Sequence, residues 1–270
     1  MKAISAYFNG SISGVSKDSN AIVPLVSEDK KTNKLFFIGT SFYISGNGIL
    51  LTAKHCIFNK KDEVYDNLGV IHFLPNNQYI LRPIRKTTYA NEYDVAYLLP
   101  EEILDKEKNI VPSPSLILTD RFPELNEQLG TFGYPDTQTI PQPESIKMDF
   151  ISDFYLGKYV EFHKNGIGLL KNSCFQTTIK MKSGSSGGPV FNKNGTVIGI
   201  CSTGYDVTDG GDDISFATPL LPTFSLSLED DNGNKKTINE LIEEKIISFK
   251  KTVNTVYKII APLPLVCNLW

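Results

Sequence analysis

The sequence predicts an all-β protein made of two six-stranded antiparallel β-barrels and a C-terminal α-helix. Three observations carry that reading. From about residue 21 to residue 225 the chain runs in short segments rich in β-branched and aromatic residues, bounded by turn residues. These segments fall into two groups of about six, and closing each group on itself removes the edges an open sheet would expose. Past residue 225 the apolar spacing changes to steps of three and four.

The first group comprises Ala21–Val26, Leu35–Ile44, Gly48–Thr52, Val70–Leu74, Tyr79–Arg85 and Asp94–Leu99. Asn47-Gly48 is a hairpin signal, since both residues tolerate the positive φ of a tight turn. The charged stretch Ile103–Pro114, ending Pro-Ser-Pro, reads as a linker. The second group comprises Ser115–Leu118, Gln128–Gly133, Ser145–Ile151, Leu169–Thr178, Pro189–Phe191, Val197–Ser202 and Ser215–Thr218, with a second hairpin at Lys193-Asn194-Gly195. Thr237-Ile238-Asn239-Glu240 is a capping box, and Ile238, Ile242, Ile246, Phe249, Val253, Val256 and Ile260 form one apolar face. Glu240, Glu243 and Glu244 lie early and Lys250, Lys251 and Lys258 late, which complements the helix dipole, and Pro262 and Pro264 stop the run. The spacing predicts an amphipathic helix over 237–260. The chain thus divides into an N-terminal barrel (1–114), a C-terminal barrel (115–225) and a helical extension (226–270).

The 270 residues suffice for a substantial core, with 41% hydrophobic and 21% charged residues, an ordinary globular balance. A formal charge of -3 and the lack of a basic cluster argue against nucleic acid as a partner. No stretch is apolar enough to span a bilayer. Residues Met1–Gly14 lack the apolar block of a signal peptide, so the expected compartment is the cytoplasm. Cys56, Cys174, Cys201 and Cys267 show no metal-ligand spacing, and neither a metal nor any other cofactor is expected. Buried free thiols in a reducing compartment are the preferred reading.

The chemistry is concentrated in Gly184-Ser185-Ser186-Gly187-Gly188-Pro189. Such a loop presents a hydroxyl on a turn and brings backbone N–H groups to where an oxyanion would form, which glycine's conformational freedom permits. Upstream stand Thr52-Ala53-Lys54-His55-Cys56, closing an apolar run, and Tyr93-Asp94-Val95-Ala96-Tyr97-Leu98, opening another. His, then Asp, then Ser is the chain order of chymotrypsin-type enzymes, distinct from the subtilisin and α/β-hydrolase orders. Ser186 is the candidate nucleophile, His55 the general base and acid, and Asp94 the group that orients the imidazole. His72 and His163 are read as structural.

With Gln176-Thr177, Asn192–Ile200, Phe216-Ala217-Thr218-Pro219, Gly39-Thr40-Ser41-Phe42 and Leu50–His55, these motifs resemble the trypsin-like serine peptidases of the chymotrypsin fold. Within them the chain is most similar to the bacterial HtrA-type protease core, over residues 20–222. Residues 223–270 leave no room for the PDZ domain usual in that type. The resemblance implies an oxyanion hole from the N–H groups of Gly184 and Ser186. It places Ser202-Thr203-Gly204 on the strand that pairs with substrate backbone. Lys180, Met181, Tyr205 and Ile214 then surround the pocket for the side chain preceding the cut. Met181, Tyr205 and Ile214 favour an apolar side chain there, whereas an inward Lys180 would favour an acidic one. Cys56 lacks the strand partner with which secreted relatives form a disulfide. Ser185 stands where animal trypsins carry an Asp that pairs with a newly cut N-terminus, so that activation switch is absent.

The function expected is a serine endopeptidase, a regulated intracellular stress or defence protease being one version of it. The alternative is a proteolytically silent or partner-activated binding module on the same barrels. The apolar face of 237–260 either packs on the barrels as a brace or docks on a regulatory protein or a second copy of the chain.

Overall fold

The computed structural model describes residues 21–29, 34–74, 79–141, 146–168, 170–205 and 213–252. The first barrel contains β1 (Ile22–Asp29), β2 (Lys34–Tyr43), β3 (Leu50–Thr52), β4 (Leu68–Phe73), β5 (Tyr79–Tyr89) and β6 (Ala96–Pro100). It closes in the order β1-β2-β3-β6-β5-β4, with β4 pairing back onto β1. Asn47-Gly48 turns the chain between β2 and β3, Gly48 adopting φ +92.

Next come β7 (Leu118–Thr119), β8 (Gln128–Gly133), β9 (Gln138–Pro141), β10 (Ile146–Asp149), β11 (Asp153–His163), β12 (Cys174–Thr177), β13 (Pro189–Phe191), β14 (Val197–Tyr205) and β15 (Ile214–Pro219). Strands β13, β8, β11, β12, β15 and β14 form the second antiparallel barrel, closed by the β13–β14 pairing. β9 and β10 make a separate two-stranded ribbon. The expected all-β architecture of two six-stranded barrels is therefore what the chain adopts.

β11 falls outside the segments expected from the sequence. Its buried residues, Phe154 and Tyr159, do not share a parity, so alternation is lost to a linear reading. Gly157 interrupts it for a steric reason: a Cβ there would lie 2.4 Å from the Ile179 nitrogen, where the chain leaving β12 crosses.

The helix expected over 237–260 is the second departure. A hairpin of β16 (Ser227–Glu229) and β17 (Lys235–Thr237) leads into α1, which spans only Ile238–Glu243. The capping box forms as expected, Glu240 N–H donating to Thr237 Oγ1 and Thr237 N–H to the Glu240 carboxylate. A Schellman motif then ends the helix: Ile246 N–H donates to Leu241 O (2.9 Å) and Lys245 N–H to Ile242 O (3.0 Å). Lys245 takes the left-handed position, φ +60, that glycine usually fills, so no sequence signal marked the stop. The chain continues extended as β18 (Phe249–Lys250), parallel to β7. Residues 253–260 of the expected helix, and Cys267, lie outside the described residues.

Ile238, Leu241 and Ile247 are buried in the same apolar cluster as Leu25, Phe42 and Tyr97 of the first barrel and Phe132, Phe191 and Leu220 of the second. Residues 238–249 act as the brace of the two readings. A second cluster fills the other barrel's interior around Phe175, Ile179 and Val190, with Phe122 stacked edge-on against Phe162 and Phe175 at 5.0 and 4.9 Å.

One polar network is sealed inside the first barrel. Arg82 donates to Glu101 O (3.0 and 2.7 Å), to Tyr43 Oη (2.9 Å) and to Ser113 Oγ (2.9 Å). With its lone pairs turned to Arg82, Tyr43 donates to His72 Nδ1 at 3.1 Å. Burial, and then the Arg82 charge, push the His72 pKa down from 6.5 to about 4, so the ring is neutral at pH 7. Between those two values only the unfolded chain takes up this proton, so His72 makes stability fall as the pH is lowered from 6.5 towards 4. In urea denaturation, H72Q is expected to flatten that fall. An identical pH dependence in the two proteins would contradict it.

Candidate active site

The register of β3 on β6 pairs Thr52 with Ala96, so the chain leaving β3 runs beside the chain entering β6. His55 lies on the first, in a 3₁₀ turn over Lys54–Ile57, and Asp94 on the second. Asp94 Oδ1 accepts the His55 backbone N–H at 2.9 Å, and Oδ2 lies 2.8 Å from His55 Nδ1. A carboxylate can only accept, so Nδ1 carries the proton and Nε2 is left as the basic nitrogen. The carboxylate side chain is 15% exposed and the imidazole 48%. Burial works against a charged imidazole, but the Asp94 carboxylate and then the Cys56 thiol outweigh it and raise the His55 pKa above 6.5.

Ser186 sits on the loop between β12 and β13 of the second barrel, packed against the first. Gly187 adopts φ +81, and a Cβ there would stand 2.2 Å from both Thr40 O and Thr52 Oγ1. Gly184 adopts φ +92, against Tyr134 O. Only glycine fits such positions, and without a side chain the loop lies directly on β2 and β3. Its backbone is held by Ser185 N–H to Lys182 O, Gly188 N–H to Ser185 O, Gly187 N–H to Cys201 O and Thr40 N–H to Ser186 O, all between 2.8 and 3.0 Å. Among the described residues no protein group accepts from the N–H of Gly184 or Ser186.

A cleft of about 290 Å³ brings Ser186 and His55 together with Met181, Ser202, Thr203 and Gly204. Lys182, Ser183 and Cys201 complete its wall, and none of these three was singled out by motif. Lys180 is exposed and is not among the residues lining this cleft or its neighbour, whereas Lys182 lines this one. Ile214 is 37% exposed and pairs with Tyr205 across β14 and β15, away from the cleft wall; of Tyr205 only the backbone is described. A larger cleft, about 1060 Å³, shares His55 and lies between Phe58, Tyr89 and Tyr93 on one wall and Lys164, Asn165, Lys171, Asn172 and Ser173 on the other. The sequence reading missed it, because its walls come from both barrels. Among the described residues there is no His, Cys, Asp and Glu cluster able to hold a metal ion. Cys56, Cys174 and Cys201 are free and buried.

The family model of the trypsin-like peptidase domain matches residues 39–200, from β2 to β14, and so includes His55, Asp94 and Ser186. The chain belongs to that family. No curated protein sequence matches it significantly. Among solved structures, the HtrA-type protease AlgW with tripeptide superposes with a TM-score of 0.54 at 21% identity, over 75% of this chain and 57% of that one. The serine endoprotease from Yersinia pestis gives 0.51 at 18%, over 84% and 63%. The Rv3671c protease from M. tuberculosis in its active form gives 0.50 at 16%, over 74% and 76%. At such identities the likeness is one of fold. This trypsin-like chain spans 57% of the AlgW chain's length.

The close approach at Gly187 is directly testable. G187A places a methyl group into Thr40 and Thr52 at a φ that L residues rarely adopt, which alone costs about 1–3 kcal/mol. A melting temperature equal to wild type would contradict the geometry.

Proposed function

We propose that the protein is a serine endopeptidase that hydrolyses peptide bonds through an acyl-enzyme, with Ser186 as nucleophile. The observation that carries this reading is the double hold of Asp94 on His55 in the cleft shared with Ser186. In the proposed reaction His55 Nε2 takes the Ser186 hydroxyl proton as Oγ attacks the scissile carbonyl. The oxyanion that forms is met by the N–H groups of Gly184 and Ser186. His55 then returns the proton to the leaving amine, and a water molecule repeats the sequence to release the acid. Asp94 keeps the tautomer and stabilises the imidazolium throughout.

Two separate clefts that share His55 favour cutting within a chain over trimming an end. The pocket before the cut is small in this reading, and Lys182, Ser183, Ser202 and Thr203 line it beside the apolar groups. Met181 and Cys201 contribute to its wall, and Gly204 lies so close that a Cβ would come within 2.7 Å of Met181 O. An intracellular location is part of the proposal, supported by buried thiols that remain free. A stress or defence role rests on the resemblance to HtrA-type proteases.

S186A is expected to lose cleavage of a peptide library by a factor on the order of 10⁶ in kcat, as when one member of a catalytic unit is removed. A fluorophosphonate probe is expected to label wild type at Ser186 and to leave S186A unmarked. Unlabelled, inactive wild type would favour the silent binding module. The pH profile gives an independent check. A general base works when neutral, so kcat/KM is expected to rise with pH along a limb whose pKa lies above 6.5, because Asp94 raises that of His55. A limb centred below 6.5 would exclude this pair as the base.

A further inference from the structure

We infer that Thr40 is a positioning residue for the oxyanion-binding peptides, its hydroxyl holding the Gly184 carbonyl from the barrel that carries His55. The inference rests on the peptidase reading and concerns what keeps that loop in working order. Gly184 is the weak point of the loop. Its N–H belongs to the Ser183–Gly184 peptide, and among the described residues nothing donates to the Ser183 carbonyl. Glycine at φ +92 has no side chain to oppose rotation of the peptide planes on either side. Ser186 is better secured, since the carbonyl sharing its N–H peptide, Ser185 O, accepts from Gly188 N–H at 2.9 Å. What limits the freedom at Gly184 is a bond from outside the loop that holds the Gly184–Ser185 peptide, the plane on one side of Gly184: Thr40 Oγ1 donates to Gly184 O at 2.7 Å, across 144 positions of sequence.

The hydroxyl has one proton to give, and its surroundings direct it. Tyr134 N–H approaches the Thr40 oxygen at 3.3 Å as a donor, which leaves the hydroxyl proton for Gly184 O. Thr40 itself cannot drift. Its N–H donates to Ser186 O at 2.9 Å, and its carbonyl accepts the Thr52 hydroxyl at 2.8 Å. Both threonines are fully buried, which holds their side chains in place. Thr52 precedes His55 by three residues. A chain of hydroxyl and amide bonds therefore runs from the strand before the base to both carbonyls around the nucleophile.

T40V keeps the shape and removes the hydroxyl, leaving Gly184 O and Tyr134 N–H unpaired. Its kcat on a peptide substrate is expected to fall about 10-fold or more, short of the 10²–10³ lost when an oxyanion donor is removed outright, with KM within about 2-fold. T40S, which restores the hydroxyl and lacks the methyl, is expected to recover most of the rate whatever its melting temperature. Folded T40V turning over at the wild-type rate, or rates that follow melting temperature across the three proteins, would overturn the inference. Crystal structures of wild type and T40V judge it without turnover: the variant's Gly184 carbonyl is expected to leave its wild-type direction, and an unchanged loop refutes the inference. Inactive wild type would defeat the peptidase reading alone, and the loop comparison would still decide the role of Thr40.

Discussion

The candidate site depends on one close approach, the backbone of the 184–188 loop lying on β2 and β3 with no side chain between them. His55 and Asp94 belong to one barrel and Ser186 to the other, so their chemistry exists only where the two surfaces meet. Interiors pack too densely to leave such a meeting loose. Here the fit is set by absent atoms: Gly187 leaves room for Thr40 O and Thr52 Oγ1, and Gly39 for Ser186 O. Tyr134 adds a directional tie from the second barrel, donating to Ile22 O at 2.7 Å. Burial alone would hold the barrels together, whereas the glycine contacts and hydrogen bonds set their register.

Electrostatics divide along the same lines. Where the first barrel buries a charge, at Arg82, every donor named is matched by a carbonyl or hydroxyl oxygen, so desolvation is offset by satisfied bonds. In the second barrel the buried charge is paired instead, Arg121 forking onto the Glu127 carboxylate, which is held in turn by the backbone of Glu124. Asp94 differs from both, because its partner is a ring that can gain or lose a proton at ordinary pH. A structural anion and the candidate catalytic one thus differ in what they face.

Much of this was legible in the sequence because it is local. The loop, His55 and Asp94 announce themselves within a few covalent neighbours, and their order along the chain adds independent information. The strands were legible where short apolar runs are bounded by turn residues, as in Gln128–Gly133 and Pro189–Phe191, whose ends fall where the pattern placed them. Reading failed where a three-dimensional fact overrode local preference. Lys245 accepts a left-handed conformation because Ile246 and Ile247 gain burial by turning back, and nothing in the residue type says so. Position along the chain did not mark Lys182, which lines the cleft with its ammonium 3.6 Å from Asp136 and over the Tyr155 ring. The role of Thr40 was hidden for a plainer reason: its partner lies at the far end of the sequence.

The segment after the second barrel has a consequence for the order in which the molecule is assembled. It recrosses the chain's own beginning, Ile247 bridging to Ser45 and Lys86 donating to Asp230 O, while Phe249 pairs with Leu118. These are among the most distant pairings in the sequence, and contacts of that span form late because a long loop must close first. On a ribosome, both barrels emerge before the strap that ties them. A nascent chain can therefore hold every group of the candidate site while the clasp across its two halves is still unmade.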